Sequence, residues 1–128
     1  MKVRWTQGSV RFRITPAEMT LLEQARPAGV TLQLPGGAWE VVIVPCEQGP
    51  TGISLNGTVL TMRISASDVL RLADSETEGI YFSAETEPSV RYFIEKDFPC
   101  LHVRPPGAAE PASETFKAPR GFSARHKT

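Results

Sequence analysis

The sequence predicts an α+β domain in which one β-β-α-β-β unit is used twice, forming one pseudo-two-fold bent sheet or small barrel with two short helices. Three observations predict it. A shift of 50 residues lines the chain up with itself; period-two alternation flanks a helical stretch in each copy; and the same helix-start signal recurs in phase. Under that shift Val3 falls on Ile53, Trp5 on Leu55, Val10 on Leu60 and Phe12 on Met62. Arg13-Ile14-Thr15 falls on Arg63-Ile64-Ser65, and Gly29-Val30 on Gly79-Ile80. The repeats span residues 2–44 and 52–94.

Each copy opens on a hairpin. Val3 and Trp5, then Val10, Phe12 and Ile14, alternate with polar residues across Thr6-Gln7-Gly8-Ser9. In the second copy Ile53 and Leu55 lead through Asn56-Gly57, a pair suited to a type I′ turn, into Leu60, Met62 and Ile64. A helix start follows. Thr15-Pro16-Ala17-Glu18 supplies a capping hydroxyl, a proline at the first helical position and a carboxylate three residues after the cap. Ser65-Ala66-Ser67-Asp68 repeats the signal. Met19, Leu22 and Ala25 mark the apolar face of the first helix, and Val69, Leu72 and Ala73 that of the second. Both helices give way to glycine, at Gly29 and Gly79. Two strands then close each copy. Val30, Leu32 and Leu34 turn through Pro35-Gly36-Gly37 into Trp39 and Val41–Val44; Ile80, Phe82 and Ala84 lead to Val90, Tyr92 and Ile94.

Composition bounds the function. A chain of 128 residues with 41% hydrophobic and 22% charged side chains is globular, and residues 1–103 are expected to form its single domain. The longest apolar run, Val41–Val44, is far short of the roughly 18 residues of a membrane helix. The alternating start, Met1-Lys2-Val3-Arg4-Trp5, has no continuous apolar leader, so a cytoplasmic location and free thiols at Cys46 and Cys100 are expected. The 14 basic and 14 acidic groups cancel, but residues 1–100 hold 9 and 12 of them and residues 101–128 hold 5 and 2. Residues 104–128 are therefore read as a basic, Pro-rich tail without apolar periodicity, expected to be disordered.

The string Glu95-Lys96-Asp97-Phe98-Pro99-Cys100-Leu101, after a Tyr92-Phe93-Ile94 strand, resembles the end of a family of small uncharacterised bacterial proteins. Val10-Arg11-Phe12-Arg13-Ile14-Thr15 and the helix after it resemble that family's beginning. The resemblance implies a bacterial stand-alone domain and carries no activity. The family's acidic segment after the Cys is replaced here by the basic tail.

Three groups of residues invite chemistry. Asp97, Cys100 and His102 fall within six residues, and a thiol beside an imidazole is a candidate nucleophile or half of a zinc site. Zinc needs further ligands that Cys46 and His126 supply only from afar, so no metal or other cofactor is expected. The plainer reading is that Phe98 and Cys100 close one end of the core. Asp74-Ser75-Glu76-Thr77-Glu78-Gly79, with Glu85 beyond, matches the spacing of a calcium loop, but a strand follows where that motif has a helix. The third group is a basic stripe of Lys2, Arg4, Arg11 and Arg13 on the first hairpin, to which Lys117, Arg120, Arg125 and Lys127 of the tail add charge. With a net acidic body and no aromatic residue foreseen among these cations, nucleic-acid binding ranks below a solvated strand face. Trp5 and Trp39 share the apolar phase and are assigned to the core.

The polar groups form no catalytic cluster. The sequence therefore favours a non-enzymatic binding or scaffold domain recognising a protein or small ligand, away from membranes. Its duplication is compatible with a homodimer. A thiol-dependent enzyme or redox protein using Cys100 with His102 and Asp97 is the alternative, and nucleic-acid binding through the first hairpin the second.

Overall fold

A computed structural model describes residues 1–84, 86–98 and 116–120. Its elements follow the order β1 (Lys2–Thr6), β2 (Ser9–Ile14), α1 (Pro16–Glu23), β3 (Ala28–Leu34), β4 (Gly37–Cys46), β5 (Gly52–Asn56), β6 (Val59–Ser65), α2 (Ala66–Ala73), β7 (Gly79–Ser83) and β8 (Arg91–Lys96). The β-β-α-β-β unit is present twice.

The strands form two four-stranded sheets, β1-β2-β8-β7 and β3-β4-β6-β5, and not the closed barrel that was one form of the expectation. Each sheet takes its first hairpin from one half of the chain and its second from the other. At each centre the halves meet in a parallel seam: Phe12 beside Ile94 between β2 and β8, and Ile43 beside Met62 between β4 and β6. The helices must carry the chain from one sheet to the other, because β2 and β3, like β6 and β7, belong to different sheets. That crossing prevents the two halves from separating as independent units.

The apolar phase of the strands becomes the core. Rows such as Val3-Phe12-Ile94-Ile80 and Ala28-Ile43-Met62-Ile53 run across the two inner faces. Phe12, Ile14, Ile43, Met62, Ile64, Leu72 and Ile94 have no exposed surface. Burying a side chain of this size stabilises by about 1.5–3 kcal/mol relative to leaving it in water. Met19 and Leu22 of α1 and Val69 and Leu72 of α2 join the same cluster. All four hairpin turns lie at the opposite end from the helices, as the strand registers require.

Local chemistry sets the boundaries. Thr15 caps α1 in a full capping box: its hydroxyl accepts from the Glu18 N–H, and the Glu18 carboxylate accepts from the Thr15 N–H at 3.0 Å. Ser65 caps α2 through the Asp68 N–H. The helices end before the glycines. Ala25 takes φ of 59° while the Arg26 N–H reaches the Leu21 carbonyl and the Ala25 N–H that of Leu22, a Schellman ending with alanine where glycine is usual. The β5–β6 hairpin turns one residue later than the Asn-Gly pair suggests. Asn56 pairs with Val59, so Gly57 and Thr58 are the central residues, and the positive φ falls on Gly57 alone. That is the type II′ pattern, with Gly first.

Candidate functional site

At the turn end of the sandwich the inner faces continue beyond the core with no helix over them. β4 pairs with β6 only from Glu40 onward, so the tip of the β3–β4 hairpin extends past its sheet as a two-stranded arm. Leu32 faces its cross-strand partner Trp39 there, and Leu32 and Leu34 are half exposed. From the other sheet Trp5 meets Trp39 edge to face, with centroids 5.0 Å apart. The core assignment of Trp5 is thus corrected. Its phase is inward, but it stands on an edge strand near an open end and is 61% exposed. Trp39 is half-buried against the core. Leu55, at the equivalent edge of the second half, is 66% exposed.

Between these groups lies an open cleft of about 530 Å³. Val10, Ile53 and Leu60 form its apolar floor, and the segment around Pro88 forms part of its wall. Thr6, Gln7, Ser9, Ser54, Thr86 and Glu87 also line it. Trp39 announces itself only as an apolar residue in the sequence. What makes it a cleft residue is the register that ends β6 opposite Glu40.

At the opposite end a smaller recess of about 330 Å³ is lined by Met19, Glu23, Lys96, Phe98 and Phe116. Lys96 continues the inward phase of β8 and is only 6% exposed. Its ammonium donates to the Asp74 carbonyl at 2.7 Å and stands 5.4 Å from the Phe116 ring centre. Burial pushes the Lys96 pKa below the ordinary lysine value, against the opposing pull of the Asp74 and Glu23 carboxylates. Between that lowered pKa and 10.5 the unfolded chain binds more protons than the folded one, so the group's contribution to stability rises with pH across this interval. Urea unfolding of wild type and Lys96→Met from neutral to alkaline pH should therefore show the difference moving in favour of wild type. A difference flat with pH would contradict the burial argument.

Asp97 is buried, with its backbone N–H on the Ile14 carbonyl at 2.9 Å and its carboxylate 3.1 Å from the Lys2 ammonium. The Phe116 N–H donates to the Asp97 carbonyl at 2.9 Å. Cys100 and His102 lie outside the described residues, as do residues 104–115 and 121–128 of the tail. Lys117 and Arg120 lie within residues 116–120 of that stretch, whereas Arg125 and Lys127 do not. In the calcium-like segment the Asp74 carboxylate accepts the Glu76 N–H at 2.9 Å and its carbonyl holds Lys96, while Glu85 lies outside the described residues. Among the described residues no three His, Cys, Asp or Glu side chains converge on a metal-sized site. Cys46 directs its thiol at the Ile64 carbonyl, 3.4 Å away.

The basic stripe forms one outward face. Lys2 stands opposite Arg13, and Arg4 opposite Arg11. The parallel seam then places Phe93 beside Arg11 and Glu95 beside Arg13, and Tyr81 stands opposite Phe93. Aromatic rings therefore do lie among these cations, contrary to the sequence expectation. Tyr81 and Phe93 were legible as outward positions, since Ile80, Phe82, Tyr92 and Ile94 hold the inward phase. Their meeting with the stripe depends on a pairing between strands some 80 residues apart.

Among described residues no helix is long and apolar enough to cross a membrane. No curated protein and no solved structure matches the chain. The sequence model of DUF7009, a family of unknown function, matches residues 1–120, and the chain belongs to that family.

Proposed function

We propose that this member of a family without an assigned activity is a non-enzymatic recognition domain that takes a small, largely apolar ligand into the uncapped end of its sandwich. The observation that supports the reading is the cleft between Trp5, Trp39 and Leu55. At about 530 Å³ it falls within the 300–1,000 Å³ range of small-molecule sites. Its composition is also that of such sites, an apolar floor with a few hydroxyl- and amide-bearing residues in the lining. Half-exposed indole and leucyl surface held in a concavity gains free energy when an apolar body displaces water from it, at roughly 25 cal/mol per Å². A bacterial cytoplasm is the setting the proposal adopts, from the resemblance of residues 92–101.

Both tryptophans of the chain line the cleft, so fluorescence reports on it directly. The full chain should bind the apolar dye 8-anilinonaphthalene-1-sulfonate saturably at one site, with energy transfer from tryptophan. Leu55→Asp places a charge at the mouth and should weaken binding at least tenfold. Leu70→Asp, on the exposed side of α2, should leave it unchanged. Equal dye binding by the two variants would refute the reading.

A further inference from the structure

The two sheets are products of one duplicated unit, so each serves as a control for what the fold itself requires of an outward face. On the β3-β4-β6-β5 sheet the outward positions include Thr31, Gln33, Val42, Ser54, Asn56, Val59 and Thr61, with Glu40 and Arg63 as the charges. That face is neutral. On the β1-β2-β8-β7 sheet the equivalent positions carry Lys2, Arg4, Arg11, Arg13 and Arg91 against one strand carboxylate, Glu95, with Asp97 at the end beside Lys2 and Glu78 just before β7, near Tyr81. Solubility and edge protection are met on the first face without any such excess. The charge on the second is surplus to the architecture.

The rings sharpen the contrast. Arg4, Arg11, Phe93 and Tyr81 form one row across all four strands. The Arg11 guanidinium stands over the Phe93 ring at 5.5 Å, and Tyr81 meets Phe93 edge to face at 5.3 Å. Tyr81 is 62% exposed. Its phenol is neutral at ordinary pH, and partial burial, then the carboxylates of Glu95 and Glu78, push its pKa further up. Glu95 is held to one side: its carboxylate lies 3.0 Å from Arg11 Nε, though that N–H is not aimed at it, and 4.0 Å from Arg13. A Cβ at Gly79 would come within 2.8 Å of the Glu95 side chain and 2.9 Å of the Ile94 carbonyl, so the glycine leaves room for both.

We propose that this face binds single-stranded nucleic acid, with the phosphates taken by Arg4, Arg91 and the Lys2–Arg13 end, and a base stacked on Tyr81. Unstacked bases offer faces to an exposed ring, which a duplex does not, and guanidinium planes stack on bases as well. Four strands span about 14 Å, room for two or three nucleotides. The site is separate from the apolar cleft and stands or falls independently of it.

The probe is a fluorescein-labelled ten-nucleotide oligouridylate, titrated with the full chain at low salt and followed by anisotropy. Affinity should fall steeply as salt rises. Arg4→Ala with Arg91→Ala should weaken it at least tenfold and flatten the salt dependence. Tyr81→Ala should cost about tenfold, with Tyr81→Phe restoring it. Arg63→Ala on the neutral face should change nothing. All these side chains are exposed, and circular dichroism checks that each variant folds. The proposal is overturned by any of four results: no binding at low salt, binding indifferent to the face variants, a duplex of equal length bound as tightly, or capture on anionic phospholipid vesicles without affinity for the oligonucleotide.

Discussion

Replacing Phe12 by alanine is expected to cost about 3–5 kcal/mol of stability, roughly a fifth or more of what a domain of this kind possesses. Phe12 has no exposed surface and sits in the middle of an inner row, between Val3 and Ile94. It is also at the parallel seam where the two halves join, so a cavity there loosens both. Urea unfolding should show a large fall in the midpoint with little change in slope. Leu55→Ala, 66% exposed, should stay within about 0.5 kcal/mol of wild type. A Phe12→Ala loss below about 1 kcal/mol would mean that the row is not closed as described.

The second large effect concerns the chain divided at its duplication. Residues 1–50 contain β1 and β2 for one sheet and β3 and β4 for the other. Without the second half each pair is an isolated two-stranded hairpin, which is marginal in water. Dilute solutions of residues 1–50 or 51–128 should lack the near-ultraviolet dichroism of the intact chain and the dispersed amide spectrum that accompanies it. An equimolar mixture should regain both, because β2 recovers β8 and β4 recovers β6. A half that folds as a monomer on its own would contradict the interlocked topology.

These expectations rest on features the sequence displays unequally. The hairpins, the helix caps at Thr15 and Ser65 and the inward phase of each strand are local, and they are read from neighbouring residues. The constant shift of 50 is less faithful. By register Ile80 occupies the place of Ala28 and Ile94 that of Ile43, offsets of 52 and 51. The connection from α2 to β7 is longer than that from α1 to β3, and the closing hairpin shorter, and alternation alone does not register such changes.

The division into two sheets is not legible locally, because alternation tells which side a residue faces and not which strand lies beside it. For the same reason Trp5 reads as core. Its face is right, but its depth along the sheet depends on where a strand from the other half stops. The Tyr81–Phe93 contribution to the basic face needed the same long-range pairing. Lys96, a buried cation in an inward position, was hidden by its residue type, since lysine is rarely enclosed unless something receives its protons. The Asp74 carbonyl that receives them is 22 residues away in the chain.

The parallel seams also set a timetable for biosynthesis. A ribosome releases β2 and β4 before their central partners exist, and β8 is completed 50 residues after β4. At about 5–20 residues per second that interval is about 3–10 s. β4 gains β6 once residue 65 is made, but β2 keeps an unsatisfied central edge with apolar flanks throughout. A copy further along the same message presents the complementary strand, so crowded polysomes favour exchange of halves between chains, and dilute translation favours closure within one.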